Sequence, residues 1–310
     1  MSLQHTPVLL EEVLVALDVR IGGCYLDATF GRGGHTAAIL ERAGRQGRVI
    51  AIDRDPQAIR AGRERFGSDA RLTLVNGPFS QMGSIVNDMG LSGGVDGVLL
   101  DLGVSSPQLD DAARGFSFTQ DGPLDMRMNN AAGRTAADWL ARVPEPDLAR
   151  VIRDFGEERF AKRVARAIVE RRQQAPITRT AELAEIVAGA VRTREPGKHP
   201  ATRTFQAIRI QINAELDEIA AALDATLDAL RPQGRLAVIS FHSLEDTQVK
   251  RFMQRHSQED PIFAGLPEVP VHARPKLRRI GRAIHASAAE VQRNPRARSA
   301  ILRVAERIAA

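Results

Sequence analysis

The chain has 310 residues, 43% hydrophobic and 26% charged, a composition typical of a globular protein with about two domains. Its net charge of +5 is carried almost entirely by arginine and favours a polyanionic partner, although GC-rich coding would give the same arginine bias. A single cysteine, Cys24, excludes an internal disulfide and a multi-cysteine zinc site. No apolar run reaches membrane-spanning length, and Glu11 and Glu12 stand where a signal peptide would be basic, so we expect a cytoplasmic protein.

Short apolar runs alternate with helical segments through the first hundred residues. A capped helix start is predicted at Thr6 and Pro7. Strands are predicted at residues 25–29, 48–53, 72–75 and 98–100, and helices at 36–43, 56–66 and 80–89. This alternation indicates βαβ units and a parallel sheet.

A glycine-rich turn, residues 30–35, follows the first predicted strand. Absent side chains let a nucleotide-like ligand approach the backbone, and the next helix offers free N–H groups. A dinucleotide site would need glycine where Thr36 stands, whereas Asp27 before the loop and Asp53 after the second strand fit a nucleoside cofactor such as S-adenosylmethionine. The alternative is a structural turn with a capping aspartate.

A second group of polar residues begins where the fourth predicted strand ends, at Asp101. Ser105 and Ser106 follow it, and because ligands bind beyond the carboxyl ends of parallel strands, we expect this segment to line a crevice. His242 follows a fifth predicted strand, 235–240, and should reach the same edge, though it could equally cap the next helix.

Residues 108–203 contain helical segments without a strand signal, which argues against a TIM barrel. Helices are predicted at 147–155, 158–172 and 180–191; in the second, Phe160, Val164 and Ile168 form a buried stripe. Its arginines lie away from that stripe, on a face that is either merely solvated or in contact with RNA. Apolar periodicity then predicts one long helix over 204–230, a helix to about 254, a proline-rich loop over 258–275 and a last strand at 300–304.

Long segments of the chain resemble the bacterial 16S ribosomal RNA cytidine N4-methyltransferases. The matching segments are 5–10, 27–35, 51–56, 101–110, 114–118, 122–128, 199–207, 240–246 and 294–303, with little matched over 258–290. The resemblance implies a class I S-adenosylmethionine-dependent methyltransferase fold, a Rossmann-like doubly wound α/β sheet with an all-helical insertion after the fourth strand. The methyltransferase domain would comprise 1–107 and 204–310, and the substrate-recognition insertion 108–203.

The resemblance also implies methyl transfer from S-adenosylmethionine to the N4 amine of a cytidine in the decoding centre (P-site region) of 16S rRNA. The RNA is either free or part of an assembled subunit, and we expect no metal site. The implied cofactor contacts are Gly33, Gly34, His35, Asp53, Phe79, Asp101 and Gln108. The residue patterns alone indicate four of these: Gly33, Gly34, Asp53 and Asp101.

The chemistry requires hydrogen-bond acceptors, because the amino lone pair of cytosine is delocalised into the ring. The candidate acceptors, with roles unassigned, are Asp101, Ser105, Ser106 and His242; the segment departs from the pattern of DNA amino-methyltransferases, which place two prolines and an aromatic residue there. The candidate RNA contacts are Arg159, Arg163, Arg166, Arg296 and Arg298.

Four other functions compete with this one. Methylation at cytosine C5 needs a cysteine nucleophile, and Cys24 opens the first strand at the wrong end. Ribose 2′-O-methylation typically uses a lysine, and lysine is nearly absent from the predicted crevice, although this function stays an alternative. A non-catalytic RNA-binding ribosome-assembly factor stays open, and an NAD-dependent reductase is disfavoured by Thr36.

Overall fold

The computed structural model describes residues 7–91, 93–191, 199–259, 261–263, 270 and 273–309. Backbone contacts divide the chain into two compact units. The sheet unit comprises Met1–Gly103 and Asp217–Ala310, and the helical unit comprises Val104–Leu216. These bounds differ from the predicted domain bounds at 107 and 203, mainly because residues 204–216 pack with the helical unit.

The sheet unit is built on one mixed sheet. Its strands are β1 (Cys24–Asp27), β2 (Arg48–Asp53), β3 (Leu72–Asn76), β4 (Val95–Asp101), β5 (Leu230–Ser240), β6 (Leu277–Arg279), β7 (Ile284–His285) and β8 (Ile301–Arg307). Their order is β3-β2-β1-β4-β5-β8-β6, with β7 also paired to β8. Neighbouring strands from β3 to β5 are parallel, and β8 runs antiparallel to β5, β6 and β7. This is the predicted α/β architecture of class I methyltransferases.

Helices accompany the sheet within the same unit. They include α1 (Leu10–Ala16), α2 (Gly34–Ala43), α3 (Pro56–Phe66), α4 (Met82–Asp88), α12 (Ser243–His256) and α13 (Ala288–Arg293). Helix α3 has its predicted bounds because Asp55 accepts a hydrogen bond from Gln57 N–H (2.9 Å) and Pro56 occupies the first turn. Helix α1 begins at Leu10, later than predicted, because Leu9 is left-handed (φ 54°); Thr6 lies outside the described residues.

The helical unit contains α5 (Ser106–Asp110), α6 (Ala136–Arg142), α7 (Glu145–Gly156), α8 (Ala161–Gln174), α9 (Thr180–Ala190) and α10 (Thr202–Asn213). Within its described residues it has no strand, only an isolated bridge between Pro123 and Arg179. Val164 and Ile168 are fully buried, and Phe160 is packed against the same core cluster, so the predicted apolar stripe of α8 is confirmed. Helices α5 and α6 were not predicted.

The prediction of one long helix over 204–230 is wrong. Helix α10 ends at Asn213, Ala214 is left-handed (φ 49°), and α11 (Glu215–Ala229) begins immediately afterwards. The Asn213 side chain donates to Met126 O (2.7 Å) and accepts from Met128 N–H (2.8 Å), which holds the break. Apolar residues continue at helical spacing through the break, so their periodicity does not reveal that the helix is interrupted.

The C-terminal part differs from its prediction in a second way. Strands β6 and β7 and helix α13 lie where no structure was predicted. In the predicted loop over 258–275, residues 260, 264–269 and 271–272 lie outside the described residues. In the part of the chain that is described, no helix has the length and hydropathy needed to span a membrane.

Candidate active site at the carboxyl edge of the sheet

Three neighbouring parallel strands each end on an aspartate. Asp27 ends β1, Asp53 ends β2 and Asp101 ends β4. Because β1 pairs in parallel with both β2 and β4, the three carboxylates lie at one edge of the sheet, as predicted for Asp53 and Asp101. Asp53 and Asp101 are partly exposed there, whereas Asp27 is buried.

Asp27 is used within the protein. Its side chain is buried and accepts hydrogen bonds from Thr36 Oγ1 (2.6 Å) and Thr29 N–H (3.2 Å). Burial raises its pKa, because desolvation outweighs these hydrogen bonds. Thr36 stands where a dinucleotide-binding motif has glycine. Its hydroxyl donates to the Asp27 carboxylate, so this residue has a structural role in the loop.

The glycines of the loop are required by the protein's own packing. Gly33 is left-handed (φ 69°), and a Cβ there would lie 2.6 Å from the Phe30 ring and 2.7 Å from the Phe66 ring. A Cβ on Gly34 would collide with Pro7. The sequence pattern indicates close approach of a ligand at these glycines, whereas in the structure aromatic rings and a proline occupy the space of the missing side chains.

Asp53 is half-buried at the end of β2, next to the loop. Its Oδ2 accepts from Gly31 N–H (2.8 Å) and its Oδ1 from Asp55 N–H (2.8 Å). Desolvation nevertheless raises its pKa to about 6. Each carboxylate oxygen keeps a second lone pair, so this side chain can still accept hydrogen bonds from hydroxyls.

His35 and Asp101 form the least satisfied polar pair at this edge. His35 is 6% exposed, and its Nε2 lies 3.6 Å from Asp101 Oδ2. Both ring nitrogens of His35 and Oδ1 of Asp101 are buried without a hydrogen-bond partner among the described residues. A buried, unsatisfied polar atom costs roughly 1–3 kcal/mol, so these atoms indicate where a bound molecule would supply partners.

Phe79 is held at the same edge by contacts distant in sequence. It begins a 3₁₀ turn, Phe79–Gln81, which is separated from the end of β3 by two residues, and it is half-buried. Ser80 N–H donates to Glu218 Oε1 (2.9 Å), and Gly77 N–H donates to the Asp53 carbonyl (3.0 Å). The residue patterns alone did not indicate Phe79, because the Glu218 contact spans 138 positions.

His242 caps helix α12. Its Nδ1 accepts from Glu245 N–H (3.5 Å), and Glu245 Oε2 accepts from His242 N–H (3.3 Å), completing a capping box. The capping interpretation is therefore confirmed. Because β5 pairs in parallel with β4, the start of α12 nevertheless lies at the same sheet edge as Asp101.

The other predicted site residues belong to different parts of the chain. Ser105 caps α5 in a capping box, in which its N–H donates to Oε1 of the buried Gln108 (2.9 Å); with Ser106, these residues lie in the helical unit. Cys24 opens β1, at the amino end of the strand that Asp27 closes, and burial raises the pKa of its thiol.

The candidate RNA-binding arginines lie on two elements. Those of the helical unit, Arg159, Arg163 and Arg166, are exposed on or just before α8, and Arg166 Nε is 2.8 Å from Glu170 Oε1. Those of the sheet unit, Arg296 and Arg298, are exposed in a 3₁₀ turn before β8.

Comparison with known proteins identifies the family. Ribosomal RNA small subunit methyltransferase H of Shewanella oneidensis is 55% identical over 306 residues, covering 98% of this chain and 97% of that protein. The protein of the same name from Shewanella halifaxensis is 54% identical, with the same coverage. Among solved structures, a SAM-dependent O-methyltransferase from Thermotoga maritima aligns with 100% of this chain and 70% of its own, at 11% identity and a TM-score of 0.44. The MraW methylase family matches residues 2–308, and the chain belongs to that family.

Proposed function

We propose that this protein transfers a methyl group from S-adenosylmethionine to the N4 amine of a cytidine in the decoding centre of 16S rRNA. The observation that carries the proposal is the buried pair of His35 and Asp101, whose unpartnered atoms lie at the sheet edge beside Asp53. The relatives named ribosomal RNA small subunit methyltransferase H support rRNA as the substrate class. Cytidine N4 as the target follows from the motif resemblance.

The residues at the sheet edge fit S-adenosylmethionine as the methyl donor. This molecule carries a net positive charge, which suits an edge where two partly exposed aspartates, Asp53 and Asp101, end their strands. Asp53 would accept the ribose hydroxyls, and Phe79 would contact the adenine. Gly33, Gly34 and His35 would lie against the amino-acid end. The motif resemblance adds Gln108 to the implied contacts. When bound, the donor supplies an electrophilic methyl group.

Asp101 is the proposed acceptor of the hydrogen bond from the cytidine amine. Its backbone N–H donates to Thr29 Oγ1 (2.7 Å), and this contact fixes the end of β4 that carries the side chain. A carboxylate that accepts from the amine N–H makes the nitrogen lone pair more available for attack on the methyl carbon. Ser105, Ser106 and His242 are the further candidates for orienting the base.

The rival chemistries make different demands on the chain. Attack through cytosine C5 requires a thiolate at the sheet edge, and the cysteine of this chain opens β1 at the opposite end with a raised thiol pKa. Direct attack by nitrogen requires no covalent enzyme intermediate, in agreement with the residues present.

The proposal is tested by methyl transfer followed by identification of the modified nucleoside. Purified protein is incubated with isotopically labelled S-adenosylmethionine and either naked 16S rRNA or small ribosomal subunits lacking the modification. The RNA is then digested and analysed by mass spectrometry. N4-methylcytidine is the expected product; 5-methylcytidine or 2′-O-methylcytidine would contradict the proposal. Absence of transfer to both substrates, with RNA bound, would indicate an assembly factor.

A variant pair connects this assay to the structure. Asp101→Asn keeps the size of the side chain but removes its charge, and we expect N4 methylation to slow at least tenfold, roughly the effect of losing one charged hydrogen bond. Asp88→Asn, on the exposed end of α4, is the matched control and should leave the rate unchanged.

A further inference from the structure

The positive charge of the protein is concentrated in one segment of the sheet unit. Residues 273–300 contain eight lysines and arginines and one acid, Glu290. The rest of the chain holds 35 of the 43 basic residues and 37 of the 38 acidic ones, so outside this segment the protein is slightly acidic. The net charge of +5 therefore arises from this one segment rather than from a uniformly basic protein.

Four guanidinium groups of this segment lack an ion-pair or hydrogen-bond partner among the described residues. They are all exposed and belong to Arg279, Arg282, Arg293 and Arg298. The acids nearby are already engaged: Glu290 Oε1 accepts from Leu9 N–H (2.7 Å), and Glu306 pairs with Arg278 (2.5 Å). A group of unpaired like charges is unfavourable unless an anion neutralises it.

Three of these arginines, Arg279, Arg282 and Arg298, lie on or next to the outer edge of the sheet, whereas Arg293 ends helix α13. Strands β6 and β7 both pair with β8 on the side away from β5, and no described strand pairs with their outer side. Arg279 lies opposite Ala305, and His285 lies opposite Ile301, a separation of four residues or about 13 Å along β8. Arg282 follows the left-handed Gly281 (φ 65°) between the two strands, and Arg298 lies three residues before Ile301.

We propose that this basic edge, defined by Arg279, Arg282 and Arg298, binds the sugar–phosphate backbone of the RNA substrate. The inference rests on the proposed function, because it assumes that the substrate is RNA. Guanidinium groups pair with phosphates in a bidentate geometry, which favours phosphate as the ligand. The segment 273–300 contains no Phe, Tyr or Trp, so it offers no platform for stacking bases.

The composition of the edge also distinguishes RNA from an anionic membrane. A membrane-binding surface combines basic residues with a broad apolar face. Here Ile284, at 37% exposure, is the one large exposed apolar residue among the described residues of this segment. The basic face of α8 is the other candidate RNA surface, but there Arg166 is paired with Glu170 and Arg171 with Glu182.

Two triple variants with equal loss of charge test the proposal. The edge variant carries Arg279→Gln, Arg282→Gln and Arg298→Gln. The control carries Arg42→Gln, Arg60→Gln and Arg63→Gln, three exposed arginines of α2 and α3, which also lack partners among the described residues. Binding of 16S rRNA and of small subunits is measured by filter retention between about 50 and 200 mM salt, and donor binding by calorimetry on the same proteins.

We expect the edge variant to lose about 2 from the slope of log affinity against log salt, since each lost contact to a single strand contributes about 0.7. Its RNA affinity near 0.1 M salt should fall roughly 10- to 100-fold by the same relation. The control should retain the wild-type slope, and donor affinity, which also reports correct folding, should be unchanged in both variants.

Three results would overturn the proposal. An unchanged slope in the edge variant would mean that RNA lies elsewhere, and the variant Arg159→Gln, Arg163→Gln, Arg166→Gln would then be expected to lose the slope instead. Equal losses of slope in the edge variant and the control would mean that RNA binding depends only on the total charge of the protein. Retained RNA binding with lost binding to phosphatidylserine vesicles would assign the edge to membranes. Failure of the proposed function is seen separately, in the nucleoside product of the wild-type protein.

Discussion

Protonation of Asp53 is predicted to weaken donor binding as the pH falls. Its pKa is raised to about 6 by burial, so in the free protein the side chain loses its charge below that pH. Ribose hydroxyls donate more strongly to a charged carboxylate than to a neutral carboxyl group. Donor affinity should therefore be full above about pH 7 and decline through pH 6, the direction expected when the ligand prefers the deprotonated form.

The magnitude follows from the same pKa. At about pH 5, one unit below it, roughly one Asp53 side chain in ten is ionised, whereas at about pH 7.5 nearly all are. If only the ionised form binds well, the dissociation constant rises about tenfold between these pH values, or about 1.4 kcal/mol. Complete removal of the acceptor in Asp53→Ala should cost about 1.5–3 kcal/mol, roughly 10- to 150-fold in affinity.

The assay is isothermal titration calorimetry with S-adenosylmethionine, repeated across this pH range in buffers of different ionisation enthalpy, which also counts the protons released. Asp27, whose pKa is likewise raised, lies at the same edge and can titrate too. The contribution of Asp53 is therefore the part of the pH dependence that disappears in Asp53→Asn. If wild type and Asp53→Asn show the same pH dependence, the carboxylate does not hold the donor.

Two further predictions concern the loop and the mechanism. Gly33→Ala should reduce the free energy of unfolding by about 2–5 kcal/mol, combining left-handed strain with overlap on the Phe30 ring, whereas Gly67→Ala (φ 56°, nothing within 4 Å) should show only the strain of about 1–2 kcal/mol. Denaturant titration measures both, and equal losses would mean that the ring moves aside. Cys24→Ser should retain methyl transfer; loss of transfer with donor binding intact would contradict direct attack by the amine.

The elements predicted well from sequence are those determined by local signals. The bounds of β2 and α3 match their predictions, because the signals for both elements lie within a few residues. An apolar run ends at Asp53, and α3 starts at Pro56 with an aspartate cap. The break at Ala214 was missed because Asn213 stabilises it through a segment about 85 residues earlier in the chain. Tertiary hydrogen bonds of this kind have no local sequence pattern.

Some residues of the candidate site could likewise be predicted from local sequence, and others could not. Asp53 and Asp101 could be found as acids at strand ends, since topology alone brings such residues together. The roles of Gly33 and Thr36 could not, because the clash with Phe66 and the hydrogen bond to Asp27 depend on how helices pack on the sheet. Both ring nitrogens of His35 are buried without a hydrogen-bond partner among the described residues. This property depends on the folded surroundings of the side chain and cannot be predicted from sequence.

The pairing of β4 with β5 has a consequence for the order of folding during synthesis. These neighbouring strands are separated in sequence by the whole helical unit. The core of that unit comes from one continuous stretch of the chain. On a translating ribosome, residues 104–216 can therefore pack before β5 has been synthesised. Until then, the edge of β4 that pairs with β5 stays unpaired. An unpaired apolar edge is a template for aggregation, and its partner arrives only after more than a hundred further residues. The slow step in maturation should then be closure of this long loop, so that newly made chains depend on chaperones until β5 and β8 have been added to the sheet.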